Sequence, residues 1–234
     1  MMTSLARRVL RLLPAGTIVP VVAGPLRGCR WIIGAAPHGA WLGTLERALL
    51  DQFVASLTPE ATVWDIGANV GLYSLAAAPR CRRVVAFEPL PRNVALLRRH
   101  LALNRVNNVE IVEAAVGRAT GRLRMREGTT PSEAYVAADG NIEVAAIALD
   151  TWAAARHEPR PDVVKIDVEG AEHDVLVGAE RSLGHRPLIQ IALHGSDAAA
   201  RCLAWLHGAG YEVTAPGQAD PAGAPEWMCR PQPR

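Results

Sequence analysis

Aromatic side chains are scarce in this chain: six Trp, three Tyr and two Phe among 234 residues. The core must therefore be mainly aliphatic, and with half of the residues hydrophobic there is enough material for one substantial core. An excess of either charge is missing too. The 25 basic and 23 acidic side chains leave a formal net charge of +2, without the basic stripe of a nucleic-acid binder. Arg80, Arg82 and Arg83 form one short basic cluster, and Arg98, Arg99 and His100 another; runs this short read as solvated faces. Cysteines number four (Cys29, Cys81, Cys202 and Cys229), widely separated and without a C-x-x-C pair. That spacing argues against a zinc site or a disulfide framework and fits a reduced, cytoplasmic setting. A bilayer-spanning apolar run is absent as well. The nearest approach is residues 12–23, behind Arg7, Arg8 and Arg11; it is broken by Pro14, Gly16 and Pro20 and lacks a small-x-small cleavage site. It reads as an arm or short strand laid over the main domain, not as a secretion signal.

From about residue 60 the chain alternates short β-like runs with helical patterns. Thr62 to Ile66, Arg83 to Phe87, Val109 to Val112, Val163 to Ile166 and Leu188 to Leu193 read as strands, with a last one at Gly210 to Val213. Helices are expected at Leu72 to Ala78, from Pro91 to about Asn104, and at Leu149 to Arg156, Ala171 to Leu183 and Ala198 to His207. Strands alternating with helices imply a mostly parallel twisted sheet with helices on both faces, an α/β Rossmann-like domain. Arg122 to Arg126 and Ile142 to Ile147 form an antiparallel excursion, and the polar stretch between them, Glu127 to Gly140, reads as an exposed loop. Three regions follow: an N-terminal arm and helical lead-in (1–58), a cofactor-binding domain (59–216), and a Pro- and Gly-rich tail (217–234) in which Trp227 and Met228 are placed to pair at the sheet edge.

The sharpest local signal is Asp65-Ile66-Gly67-Ala68-Asn69-Val70-Gly71, joining the first of these strands to the first helix. Gly67 and Gly71 suit a turn where backbone approaches a ligand closely. Glu88 lies about twenty residues further on, at the end of the next strand, where an acid accepts hydrogen bonds from ribose hydroxyls. A dinucleotide needs G-x-G-x-x-G to seat its pyrophosphate on a helix N-terminus. Here the pattern is D-x-G-x-x-x-G, and the negative charge of Asp65 suits the ammonium end of S-adenosylmethionine better.

A second cluster is Lys165-Ile166-Asp167-Val168-Glu169-Gly170-Ala171-Glu172. Alternation along a strand puts Lys165 and Asp167 on one side, with Asp167 at the strand tip, facing the cleft. Glu169 and Glu172 fall in the first turn of the next helix, where its dipole favours negative charge. His194 closes the following strand and is a second candidate base beside Asp167. Asp167, Glu169 and His194 are also residue types that hold a divalent ion, although sequence alone does not show that they converge.

With these residues in place, the chain resembles the FkbM family of methyltransferases over about residues 39–213. The resemblance rests on residues 39–46 (GAWLGTLE), 65–74 (DIGANVGLYS), 86–89 (AFEP), 113–117 (EAAVG), 148–150 (ALD) and, most specifically, 164–172 (VKIDVEGAE). It implies an S-adenosylmethionine-dependent enzyme that methylates hydroxyls of sugars or secondary metabolites, with a small-molecule acceptor and neither nucleic acid nor membrane as partner. The cofactor would be held by Asp65, Gly67, Ala68, Asn69, Gly71, Pro89 and Asp167, with Glu88 at the ribose hydroxyls, Glu113 and Ala114 near adenine, and Glu46 at the amino-acid end. Asp167 or His194 would take the hydroxyl proton, with Lys165 and Glu169 shaping the site. One departure stands out: similar proteins often carry a glutamate two residues before the histidine, and here that position is Ala192. The alternatives are a nicotinamide-dependent oxidoreductase and a non-catalytic, cofactor-binding member of the fold.

Overall fold

A computed structural model describes residues 13–128, 134–214 and 226–233. The centre of the molecule is a seven-stranded sheet. Its strands are β3 (Thr62–Ile66), β4 (Arg83–Phe87), β5 (Val109–Val112), β10 (Val163–Ile166), β11 (Leu188–Ala192), β12 (Tyr211–Thr214) and β13 (Glu226–Pro231), in the order β12-β13-β11-β10-β3-β4-β5. The segment from β11 through β10, β3 and β4 to β5 is parallel. β13 runs antiparallel to both of its neighbours. All five residues of β3 and all four of β10 are buried, as expected of central strands covered on both faces.

Strand alternation divides the side chains between two cores. Val63, Val84, Ala86 and Val163 face Leu75 and Ala76 of α3 (Leu72–Ala77) and Leu97 and Leu101 of α4 (Pro91–Leu103). Trp64, Ile66, Val85, Val164, Ile166, Ile189 and Ile191 face the other way. They meet Leu149 of α5 (Leu149–Arg156), Val175 and Leu176 of α6 (Glu172–Gly178), and Cys202 and Leu206 of α7 (Ser196–Gly208).

The N-terminal region is built into the first of these cores. A hairpin of β1 (Ile18–Pro20) and β2 (Arg30–Ile32), followed by α1 (Gly39–Leu42) and α2 (Arg47–Ala55), contributes Trp31, Ile32, Trp41, Leu50 and Phe53 to it. The clamp is His100, which is fully buried rather than on a solvated face as its basic neighbours suggest. Its Nε2 accepts from the Ile32 N–H at 3.1 Å. Nδ1 is 2.8 Å from the Val70 carbonyl, to which it donates, and the ring stacks on Trp31 with centroids 4.2 Å apart. Burial lowers its pKa, keeping the ring neutral.

The middle of the chain folds as a second, four-stranded sheet. β6 (Ala115–Val116) and β7 (Gly121–Glu127) each pair with β9 (Ile142–Ile147), and β8 (Ala134–Val136) pairs with β7, so the stretch read as a loop carries a strand. Two other elements differ from the sequence reading. The helix expected from Ala171 to Leu183 ends at Gly178. The Asp150 carboxylate accepts from the N–H groups of Arg181 and Ser182, at 2.9 and 2.7 Å, and so starts a fresh turn there. Among the described residues the tail forms an inner strand and not an edge strand: β13 inserts between β11 and β12, and β12 is outermost. Residues 217–225 of that tail lie outside the described residues.

Candidate active site

A cleft of about 400 Å³ opens at the carboxyl ends of β3, β4 and β10. Strand order reverses there: the chain passes from β3 outward through β4 to β5, then crosses back to place β10 on the other side of β3. Ligands of open α/β sheets bind at such switch points. Residues 34–37 of the N-terminal region, together with Met125 and Val136 of the small sheet, also line the cleft.

The glycine turn has a different reason from the one its sequence suggests. Gly67 has φ +83°, and a Cβ there would lie 1.8 Å from the Asp167 carbonyl oxygen. Gly71 has φ +98°, and its Cβ would lie 2.4 Å from Leu97 Cδ1. Gly67 is thus required by backbone packed against backbone, and Gly71 by its left-handed conformation. Gly67 still lines the cleft, as do Ala68 and Asn69, whereas Gly71 serves as the N-cap of α3 and does not.

Glu88 does face the cleft. Its carboxylate accepts from the Asn69 N–H at 2.8 Å, the Leu90 N–H at 3.0 Å and the Asn93 amide at 3.1 Å. Burial raises its pKa, and these donors oppose that rise. The donors fix both oxygens at the tip of β4: Oε1 takes two of them and Oε2 one, so that Oε2 keeps a second lone pair for a ligand. Pro89 and Ala114 line the same region. Glu113 does not: its carboxylate pairs with Arg98 on the exposed surface, so its assignment near adenine is corrected. The chain turns after β5, pointing alternate residues to opposite sides.

A buried polar network forms the inner end. Asp65, Lys165 and Gln190 sit in register across β3, β10 and β11. Lys165 is 1% exposed and yet lines the cleft. Its ammonium pairs with Glu226 of β13, stands 3.4 Å from Asp167 Oδ2 and lies 4.9 Å from the centre of the Tyr73 ring. Gln190 donates to Glu226 at 2.8 Å and to the Tyr73 hydroxyl at 3.3 Å. Asp65 accepts from Ser74 Oγ at 2.5 Å; burial pushes its pKa up to about 6, against the pull of Ser74 and Lys165. Glu46, which lines the cleft beside Tyr73, is pushed up to about 7, again chiefly by burial.

The acidic motif and His194 come together beside this network. Asp167 and Glu169 line the cleft; His194 stands behind them and does not. His194 Nε2 is 3.4 Å from Glu169 and 3.9 Å from Asp167, while Nδ1 is 2.7 Å from Glu172, whose side chain is fully buried. Burial disfavours a charged imidazole, but the Glu172 hydrogen bond and the three carboxylates outweigh it and raise the pKa to about 9. The sequence placed Glu169 and Glu172 together in a helical turn. Instead α6 begins at Glu172, and Glu169 precedes it with φ +55°. The left-handed backbone at Glu169 turns its side chain toward the cleft, while Glu172 grips the histidine. This answers what orients His194 when residue 192 is alanine. Ala192 itself lies opposite Glu226 across the β11–β13 ladder.

Sequence reasoning missed the roles of Glu226, Tyr73, Gln190 and Glu172. Glu172 and Tyr73 had a usable signal, because each lies within a motif; Gln190 and Glu226 are brought in by the sheet ladder.

The sheet order, with its antiparallel strand next to the last, is that of a class I methyltransferase. The chain belongs to the FkbM methyltransferase family: the model described as Methyltransferase FkbM domain matches residues 65–213. Similar curated proteins include the hexuronic acid methyltransferase AglP of Haloferax volcanii, 25% identical over 151 residues, which are 64% of this chain and 62% of the relative. The 2-O-methyltransferase NoeI of Sinorhizobium fredii is 26% identical over 148 residues, 53% of this chain and 60% of the relative. The chain thus spans about six-tenths of the length of these relatives. Among solved structures, methyltransferase FkbM from Methylobacillus flagellatus KT is similar with a TM-score of 0.57 at 18% identity, covering 74% of this chain and 44% of that one. Among the described residues, no helix is long and apolar enough to cross a membrane.

Proposed function

We propose that this chain transfers the methyl group of S-adenosylmethionine to a hydroxyl oxygen of a small acceptor, a sugar or secondary metabolite. The observation that carries the reading is the pair of carboxylates at strand tips on either side of β3: Glu88 at the end of β4 and Asp167 beyond the end of β10, both lining one cleft. Glu88 accepts from the ribose hydroxyls. Asp65 and Glu46 face the ammonium of the methionyl end, and Ala114 and Pro89 border the adenine. One relative named as a hexuronic acid methyltransferase and one named as a 2-O-methyltransferase support a sugar-like acceptor and oxygen as the acceptor atom.

The sulfonium is an activated donor, so the protein's work is to hold an acceptor oxygen in line behind the methyl carbon and to exclude water. As the new C–O bond forms and the C–S bond breaks, the hydroxyl proton passes to a base. Asp167 is that base, since it lines the cleft while His194 stands behind it; a positioned base contributes about a hundredfold to ten-thousandfold. Lys165, held by Glu226, keeps one Asp167 oxygen turned inward. His194 stands behind Asp167 and Glu169 and positions their carboxylates. Residues 34–37, Met125 and Val136 border the open side of the cleft and shape acceptor choice.

The test is incubation with S-adenosylmethionine and a panel of hydroxylated acceptors, read by mass spectrometry for one added methyl. Calorimetry should show binding of the cofactor and its demethylated product, and none of NAD. Asp167→Asn should lose at least a hundredfold in kcat while still binding cofactor. Undiminished turnover by this variant would remove Asp167 from the mechanism, and binding of NAD alone would replace the reading with an oxidoreductase.

A further inference from the structure

We infer that Asp167, Glu169 and His194 form a binding site for one divalent cation at the edge of the cleft. The first ground is convergence. One donor atom from each of the three lies within 4.8 Å of the other two, and His194 Nε2 is 3.4 Å from Glu169 and 3.9 Å from Asp167. Ligand bonds of about 2.0–2.2 Å place neighbouring donors roughly 3–4 Å apart, so small side-chain adjustments suffice to close the shell.

The second ground is the partner on the other ring nitrogen. A metal-ligating histidine almost always gives its second N–H to a carboxylate or carbonyl, which fixes the tautomer and aims the ligand nitrogen. Glu172 holds His194 Nδ1 at 2.7 Å and is itself anchored by the Gly170 N–H at 2.9 Å. That leaves Nε2 directed at Asp167 and Glu169.

Charge is the third ground. The carboxylates of Asp167, Glu169 and Glu172 surround a single imidazole. The ammonium of Lys165 contacts Asp167 but is shared with Glu226. Three carboxylates so close together attract a divalent ion, and bound cations are often the largest local charges in such sites. The chemistry of the donor set, two carboxylates and one imidazole without thiolate, suits Mg²⁺ or Mn²⁺ above softer ions. Because Asp167 and Glu169 line the cleft, the ion's remaining positions would face the space where the acceptor lies. There it would hold and acidify a hydroxyl oxygen; this role, unlike the site itself, rests on the methyl-transfer reading.

Mn²⁺ is the probe. The full chain, freed of metal by a chelator and supplied with no methyl donor, is titrated with Mn²⁺ and free ion is followed by electron paramagnetic resonance. One ion per chain is expected. Glu169→Gln and His194→Ala should each weaken binding about tenfold or more, and Glu172→Gln should weaken it about tenfold to a hundredfold through the histidine. Glu143→Gln, an exposed acid paired with Arg122 on the small sheet, should change nothing. Each variant is first shown to bind S-adenosylhomocysteine, so a misfolded variant is replaced by its conservative counterpart, Glu169→Asp or His194→Gln. Absence of stoichiometric Mn²⁺ binding, or binding indifferent to Glu169 and His194, would overturn the site. Neither outcome would touch methyl transfer, which the cofactor and acceptor assays read separately.

Discussion

At the scale of single residues, the cleft is marked by acids that the fold keeps partly protonated. Asp65 and Glu46 have folded pKa values raised by burial to about 6 and about 7. Both therefore bind protons over a range where the same groups in an unfolded chain have lost them. A ligand bringing an ammonium and a sulfonium beside them favours their charged forms and expels those protons. Cofactor affinity should accordingly rise as pH goes from about 5 to about 8 and level off above, because the protons are then already gone. Calorimetry in two buffers of different ionisation enthalpy checks this: proton release should be seen near pH 6 and vanish near pH 9. In the absence of ligand the sign for stability is the reverse. The contribution of these raised acids is fully present below their unfolded values near 4 and is lost as pH climbs through 6 to 7. Glu88 gives the complementary expectation. Replacing it by Gln should weaken cofactor binding about tenfold to a hundredfold, the worth of hydrogen bonds to a charged group, measured by titration with S-adenosylhomocysteine.

At the scale of elements, the question is why some segments declare themselves and others do not. β3, β4 and β10 are short apolar runs bounded by polar tips, and such local signals predict both their type and the cleft they frame. His100 shows where local reading stops. It follows Arg98 and Arg99 on a helix, so its neighbours suggest solvent, but the 3.6-residue period turns it inward onto β2. The same limit applies to the glycine turn: the pattern leads to the cleft, but the atom that forbids a side chain at 67 is the Asp167 carbonyl oxygen, distant in sequence. His100→Ala should cost about 2–4 kcal/mol, since it empties a packed site and strands the Ile32 N–H and the Val70 carbonyl. Hydrogen exchange at Ile32 should quicken accordingly. The acid side has a definite sign. The folded pKa of His100 is lowered, so its share of stability is complete above the unfolded value near 6.5 and is lost as pH falls through the folded one. Chemical denaturation at pH 7 and pH 5 should show this loss in the parent chain and a smaller one in the variant.

On the scale of the whole molecule, β13 and the candidate site are one structure. β13 enters between β11 and β12 as the only antiparallel strand of the main sheet among the described residues, and it carries Glu226 into the network with Lys165 and Gln190. No local pattern in the sequence announces this, because Glu226 gains its role only from a partner 61 residues away. Two changes separate the strand from its side chain. A chain ended at residue 225 leaves β11 and β12 with unpaired edges and Lys165 with a lost carboxylate, and should aggregate on expression. Glu226→Gln keeps the ladder, so it should stay folded, with a Tm within a few degrees of the parent if the glutamine still accepts from Lys165. Yet the charge that holds Lys165 away from Asp167 is gone, and the ammonium then pairs more closely with the proposed base. That ties up the carboxylate proposed to take the hydroxyl proton, so kcat should fall about tenfold or more with little change in KM. An unchanged kcat together with a loss of Tm would assign Glu226 to stability alone.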